Sequence, residues 1–294
     1  MVLVKCLRVF SYRFRFSFSS ARIPLIFILT AIFVYSNIEN VSEMSASLGI
    51  PCRPYLFPHL VNDFICQLVF MGAVIVLFCD APFTDDVTMY FKYRSGRLSW
   101  TMGHAIYIIA LSFLFILMIM MVSTFALFPH LEFGESWGKI INTLGKTNIG
   151  SQYGVAFRVS DYLIGAYLPL KAMVYTFLLE WVCAAWLGLL IYSGNLLTLK
   201  PIGTFASAGF VLMDITIANE GALSSYKFSP LTLAQLASLT GLNRQLGGIT
   251  LHYSIRFFII TLGILLFTCA FGEKIQYLAA LGLQKLKRGG NLYG

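Results

Sequence analysis

Charged residues are scarce in this chain. Asp, Glu, Lys and Arg together make up only 12% of its 294 residues, whereas hydrophobic residues make up 58%. A typical soluble domain carries about a quarter charged residues, so this composition excludes an ordinary soluble protein. It indicates an integral membrane protein.

Cysteine pairs and metal-binding motifs are also missing. The six cysteines never stand in a C-x-x-C spacing, and five of them lie in or beside apolar runs. We interpret them as small buried residues and predict neither a disulfide framework nor a metal site. The histidines have no H-E-x-x-H motif or carboxylate at ligand spacing, and we interpret them as polar tips near the ends of membrane spans. They are His59, His104, His130 and His252.

Catalytic signatures are missing as well, including a G-x-S-x-G elbow and a glycine-rich dinucleotide loop. The stretch GKIINTLGKT, residues 138–147, ends like a phosphate-binding loop, but the pattern needs glycine where the chain has Ile140. We interpret Trp137, Ile140, Ile141 and Leu144 as the apolar face of an outer interfacial helix. The chain is therefore not expected to be an enzyme or to bind a cofactor itself.

Long apolar runs are what the sequence has in abundance. A helix needs about 20 apolar residues to cross a bilayer, and six stretches approach that length. The first could be a signal peptide, but five basic residues precede it and no small-x-small cleavage site follows. We predict one all-α domain, residues 1–294, with six transmembrane helices. The predicted spans are 18–35, 60–79, 102–128, 170–192, 201–218 and 255–271.

Lysine and arginine are unevenly divided between the two predicted sides. Most of the 21 fall at the termini and in the loops after spans 2 and 4. Positively charged loops tend to stay cytoplasmic, so we predict a multi-pass plasma-membrane protein with both termini cytoplasmic. Residues 130–168 and 220–253 are then extracellular. Topology and anionic membrane lipid explain the net charge of +8, so a nucleic-acid partner is not required.

The N-terminal segment, residues 1–20, is compatible with two periods. Aromatic residues alternate with polar ones, as in a strand, but Leu3, Leu7, Phe10 and Phe14 also form a helical stripe. An isolated strand would leave its edges unpaired. We therefore favour an interfacial helix along the inner leaflet, with a flexible basic leader as the alternative.

One strongly polar run, DAPFTDDVTMYFKYRSGRL at residues 80–98, separates two long apolar ones. We expect Asp80 to cap a short cytoplasmic helix and Pro82 to occupy its first turn. Acids near the start of this helix and bases near its end would match its dipole; they are Asp85, Asp86, Lys92 and Arg94.

The same run also carries a predicted aromatic face. Phe83, Val87, Tyr90 and Arg94 share one side of the helix at spacings of three and four. Arg97 and Trp100 are expected to anchor the following span at the interface. A solvated loop that only fixes topology is the alternative, although it would require neither caps nor an aromatic face.

These features together resemble the permease subunit of ABC-2 type exporters. Chains of that family commonly leave span 2 through a D-x-P-like turn and re-enter the membrane after an R-x-G-R-x-x-W pattern. Asp80, Pro82, Arg94, Gly96, Arg97 and Trp100 match these motifs. The stretch FSPLTLAQLASL is similar to the family's outer re-entrant helices and is matched by Ser229, Pro230 and Leu236.

The resemblance implies a mechanical function. In that family the helix after span 2 docks into a separate ATPase subunit, which binds ATP and magnesium. Two permease chains, identical or different, then work with two ATPases to move an amphipathic or hydrophobic substrate, such as a peptide, drug or lipid, out of a bacterial cell. The resemblance implies ATPase coupling by Asp80, Pro82, Phe83, Val87, Met89, Tyr90, Arg94, Gly96 and Arg97.

A different class of function is compatible with the same sequence. The outer segments are long enough to form a small cap, so the chain could be a membrane sensor or immunity scaffold that binds an extracellular ligand without transporting it.

Acidic residues inside the apolar runs are the remaining candidates for function. Glu180 lies well inside span 4 and is expected to face the bundle interior, a cavity or a partner subunit. There it would either meet a cationic substrate or bond a hydroxyl or indole of a neighbouring span. Asp214, in span 5, and Asp63, near the outer end of span 2, are expected to be solvated at the interface.

Overall fold

The chain is all-helical over the residues that the structure describes. The structure is a computed structural model that describes residues 2–83, 86–220, 225–239 and 249–290, with side chains except those of 86–90, 218–220, 225 and 273–290. Within these ranges, the only β-type pairing is one isolated bridge between Cys52 and Leu131, and the all-α prediction is confirmed. The helices are α1 (Val2–Ser17), α2 (Arg22–Leu48), α3 (Phe57–Asn62), α4 (Phe64–Phe78), α5 (Asp86–Ser95), α6 (Arg97–Phe125), α7 (Gly138–Lys146), α8 (Asp161–Ala166), α9 (Pro169–Thr198), α10 (Ile202–Glu220), α11 (Pro230–Ala234), α12 (Leu236–Leu239) and α13 (Leu251–Gly290).

Four helices are long and apolar enough to cross a membrane. They are α2, α6, α9 and the first part of α13, Leu251–Gly272. The predicted second and fifth spans fall on shorter apolar helices, Phe64–Phe78 and Ile202–Ile217. The 15 residues of α4 reach about 22 Å, against a hydrocarbon core of about 30 Å. A membrane protein is therefore supported, and six spans remain a prediction.

The second predicted span is short because Asp63 interrupts it. Its backbone is extended, and its carboxylate accepts hydrogen bonds from the amides of Ile65 at 3.1 Å and Cys66 at 3.2 Å. This is an N-cap, which begins α4 and separates it from α3. Asp63 is half-buried and also accepts from the Arg158 amide, so it has a structural role beyond interfacial solvation.

The first predicted span continues well past its expected end. Helix α2 extends to Leu48 because buried residues continue to recur every three or four positions after Val34, at Ile38, Val41 and Met44. The sequence prediction used hydropathy, which falls where polar residues cover the other faces of this helix. The extended part of α2 packs against the segment that follows α6, around residues 148–154.

The N-terminal segment is a helix, as predicted, but its buried face is not the predicted stripe. Leu3 and Leu7 are exposed, whereas Cys6, Val9, Arg13 and Ser17 are buried. The reason is that α1 lies against α6, where Val9 faces Gly103. A Cβ atom at position 103 would lie 2.6 Å from the Cβ of Val9, so glycine permits this close approach.

Residues 126–168 fold into a segment that contains α7 and α8, which we call the outer segment because most of it was predicted to be extracellular. Its buried side chains include the predicted face of α7, namely Trp137, Ile140, Ile141 and Leu144. This face packs against the protein core, not along a membrane surface as expected. The Trp137 indole N–H donates to the carbonyl of Tyr167 at 2.9 Å.

His59 joins this outer segment to α3. Its Nδ1 accepts a hydrogen bond from the Ser160 amide at 3.2 Å, so the proton of the neutral ring lies on Nε2. Burial lowers the pKa of His59 to about 3, which keeps the ring uncharged near neutral pH. His59 is therefore a buried residue that links α3 to the outer segment, and not the polar tip near a span end that the sequence suggested.

Candidate functional site

The segment that resembles a re-entrant helix enters the interior of the bundle. Ser229 caps α11, since its hydroxyl accepts from the Thr232 amide at 3.3 Å. Pro230 begins the helix, and the residues that follow it to Ala234 are all buried. The chain then bends at Gln235 before α12. A short, irregular segment therefore places polar side chains inside an apolar core.

Glu180 meets this segment through two glutamines. The Gln67 amide nitrogen donates to the Glu180 carboxylate at 3.1 Å and to the carbonyl of Leu231 at 3.0 Å. The Gln235 amide nitrogen donates to the Gln67 carbonyl oxygen at 2.5 Å. Glu180 is 1% exposed, so it faces the interior as predicted. Its partner within the chain is an amide of α4 and not the hydroxyl or indole that the sequence suggested.

Asp214 of α10 binds the same segment. Its carboxylate accepts hydrogen bonds from the hydroxyls of Thr232 at 2.7 Å and Ser229 at 3.3 Å. Asp214 is only 4% exposed, which contradicts the prediction of interfacial solvation. The polar side chains of α11 explain its burial, because they provide the hydrogen bonds that a buried carboxylate requires.

Two further helices hold the segment in place. The Cys183 thiol of α9 lies 3.6 Å from the Pro230 carbonyl, and the Ser254 hydroxyl of α13 donates to the Leu233 carbonyl at 2.6 Å. Among the described residues, the ion pairs with defined distances involve neither Glu180 nor Asp214. We call Gln67, Glu180, Asp214, Ser229, Thr232 and Gln235 the interior polar cluster.

A second set of contacts lies at the other end of the bundle, where the chain turns between α4 and α5. Asp80 forms an ion pair with Arg22 at the start of α2, and the Asn195 amide of α9 donates to the carbonyl of Ala81 at 2.9 Å. Asp80 therefore does not cap α5, which begins only at Asp86. Pro82 likewise precedes that helix.

Phe83 is buried at the centre of this turn. Its ring centroid lies 5.6 Å from those of His104 and Tyr107 on α6 and 6.4 Å from that of Tyr192 on α9. The guanidinium carbon of Arg13 lies 4.3 Å from the Phe83 centroid. With 3% of its surface exposed, Phe83 cannot present a docking face, because Arg13 and the aromatic rings already cover it.

Two other residues of this end are also more buried than predicted. Trp100 is 3% exposed and packs edge-on against His104 at 4.4 Å, so it is an interior residue and not an interfacial anchor. His104 is 1% exposed, and its Nδ1 lies 2.9 Å from the carbonyl of Trp100. It too is not a polar tip.

The remaining predicted coupling residues lie on α5 or beside it. Arg94 is exposed near the end of α5, Gly96 turns the chain with a φ of 89°, and Arg97 begins α6. Tyr93, which the sequence did not single out, is 85% exposed. The side chains of Val87, Met89 and Tyr90, and all of Asp85, lie outside the described part of the chain.

Sequence reasoning missed four residues that these contacts depend on. Gln67 and Gln235 were not considered, and Arg13 was counted only as a topological charge. Gln67 had a visible signal, since it is the one amide inside the uninterrupted apolar run 64–79. Arg13 and Asn195 had none, because basic residues before a span and polar residues after one are common.

Comparison with known protein families, curated proteins and solved structures finds no match. The function is therefore inferred from the residues and their contacts alone.

Proposed function

We propose that this chain is the permease subunit of an ATP-driven exporter of the ABC-2 type, working as a dimer with two ATPase chains. The observation that supports this proposal most strongly is the turn at residues 80–83. It leads directly to α5, whose Tyr93 is exposed, and it contacts helices that continue through the bundle. A force applied to α5 would therefore act on α1, α2, α6 and α9.

Three contacts support this path. The Asp80–Arg22 pair reaches α2, the Ala81–Asn195 hydrogen bond reaches α9, and Arg13 stacking on Phe83 reaches α1. A coupler of this kind must contact its partner differently in two states, because equal contact would shift no equilibrium. The proposed docking face is accordingly the exposed side of α5, and the turn at residues 80–83 is the proposed connection to the bundle.

The proposed substrate is amphipathic or hydrophobic, such as a peptide, drug or lipid. The described interior is mostly apolar, and Glu180 and Asp214 are already hydrogen-bonded within the chain. This favours a role for these carboxylates in holding the segment that contains α11 in place over recognition of a cationic substrate.

The proposed docking face can be tested with Tyr93→Asp. A buried charge at the centre of an interface costs at least about tenfold in affinity, so we expect co-purification with the proposed ATPase partner to be lost. The measurement is the amount of ATPase recovered with tagged full-length protein.

Phe133→Asp is the matched control, because Phe133 is 74% exposed in the outer segment. It should leave ATPase recovery unchanged. Equal recovery with Tyr93→Asp and wild type would argue against docking through α5.

A sensor or immunity scaffold is the second candidate, and the compact outer segment favours it. The Asn40 amide of α2 donates to the carbonyl of Gly154 at 2.6 Å, which links this segment directly to a helix of the bundle. An extracellular ligand bound there could influence α2 without transport. Ligand binding with no ATPase association would favour this function.

A further inference from the structure

We infer that a groove between α1, α5 and the start of α6 binds the headgroup of an anionic phospholipid. The groove has a volume of about 350 Å³, within the range of small-molecule sites. We call it the basic groove. It is independent of the exporter proposal, since it requires neither an ATPase nor transport.

Three cations line the basic groove from two different helices. Lys5 and Arg8 lie on α1, and Arg94 lies near the end of α5. None of its described lining residues is acidic, and the ion pairs with defined distances in the described chain involve other cations, Arg22 and Arg53. Bases on separate elements around one concavity suit an anion with several oxygens, such as a phosphodiester.

The floor of the basic groove is apolar and aromatic. Tyr12 and Phe91 pack with ring centroids 4.8 Å apart, and buried Trp100 also lines the groove. A free phosphate would use only the cations. A phospholipid would also contact the apolar side chains of the floor, so the proposed occupant is a lipid.

The position of the basic groove supports the same occupant. Trp100 lies in the first turn of α6, the 29-residue apolar helix that is long enough to cross a membrane. Leu3 and Leu7, on another side of α1, are 69% and 48% exposed, as expected for a helix partly immersed in lipid. The basic groove therefore lies at the depth where phospholipid headgroups are found.

The test compares binding of phosphatidylglycerol and phosphatidylcholine to purified full-length protein in detergent. Each cation near an anionic lipid surface strengthens binding. We therefore expect Lys5→Gln/Arg8→Gln/Arg94→Gln to weaken phosphatidylglycerol binding at least about tenfold, with phosphatidylcholine binding unchanged. Arg8→Lys/Arg94→Lys keeps the charges and should retain binding. If the triple variant fails to fold, Arg94→Glu alone should show a smaller loss in the same direction.

Lys139→Gln/Lys146→Gln/Arg158→Gln is the matched control, because it removes the same charge from exposed positions of the outer segment. It should bind phosphatidylglycerol like the wild type. An equal loss in this control, no preference of the wild type for phosphatidylglycerol, or displacement of the lipid by inorganic phosphate at similar concentration would overturn the proposal. So would a triple variant that binds phosphatidylglycerol like the wild type.

Discussion

At the scale of single residues, Gln67 has the most demanding position in the molecule. Its one amide group joins the carboxylate of Glu180, the backbone of Leu231 and the side chain of Gln235. A carboxylate in an apolar interior is costly unless it accepts hydrogen bonds. Gln67 therefore offsets part of the cost of burying Glu180 and also fixes the path of α11.

Replacing Gln67 with Leu should destabilise the protein. The variant leaves the Glu180 carboxylate without its donor and the Gln235 amide without its acceptor, and each unsatisfied buried group costs about 1–3 kcal/mol. We expect SDS-induced unfolding of the purified protein to begin at a clearly lower SDS fraction.

Gln152→Leu provides the comparison, since Gln152 is exposed in the outer segment and its replacement should leave the unfolding midpoint unchanged. The double variant Gln67→Leu/Glu180→Leu should recover part of the lost stability, because it removes the stranded charge. A Gln67→Leu midpoint equal to wild type would show that the interior polar cluster contributes little.

At the scale of elements, the contact between α1 and α6 decides where the N-terminal helix lies. Gly103 allows Val9 to approach closely, and the Ser17 hydroxyl lies 2.6 Å from that of Tyr107. The Arg13 guanidinium follows on the same buried face, over Phe83. The basic groove and the proposed coupling path both depend on this packing.

Gly103→Leu should therefore separate α1 from α6. A side chain at this position would collide with Val9 and approach the carbonyl oxygen of Cys6 to 3.0 Å. We expect hydrogen exchange of the amides in residues 2–17 to rise severalfold, because α1 loses its protective packing.

Gly263→Leu is the control in α13, where a Cβ atom would meet nothing within 4 Å. Exchange in residues 2–17 should not change in this variant. Unaltered exchange in Gly103→Leu would mean that α1 does not depend on this contact.

The sequence was informative about which elements exist and less so about where they end or face. The helical period of residues 1–20 correctly favoured a helix, but the buried face was missed because it includes Arg13 and Ser17, which no hydrophobic pattern selects. The end of α2 was predicted too early, because one face of the helix stays buried after its other faces become polar. Asp63 could have been recognised as a cap, since Asp is a preferred residue at helix starts.

For the candidate site as well, the sequence identified residues but not the contacts between them. The sequence identified Glu180, Ser229 and Pro230 individually, and Glu180 could be expected to face inward because a charge in lipid is costly. Their meeting depends on a contact between Gln67 and Gln235, which are far apart in the chain, and only tertiary packing brings them together. Phe83 was misplaced because burial by Arg13 of another helix has no local signature.

At the scale of the whole molecule, the two clusters lie at different levels of one bundle. Helix α9 links them, because it carries Glu180 in the interior polar cluster and Tyr192 and Asn195 beside the turn at residues 80–83. Movement of that turn would therefore be transmitted along α9 toward the segment that contains α11. This arrangement is what the proposed exporter requires, since ATP-driven motion at one end must alter contacts elsewhere.

The most direct test of this account is ATP hydrolysis in proteoliposomes that contain the full-length chain and its proposed ATPase partner. The account predicts that the wild-type chain changes the hydrolysis rate of the ATPase severalfold, and that Tyr93→Asp abolishes this effect while Phe133→Asp does not. An ATPase rate that is the same with and without the chain would contradict it.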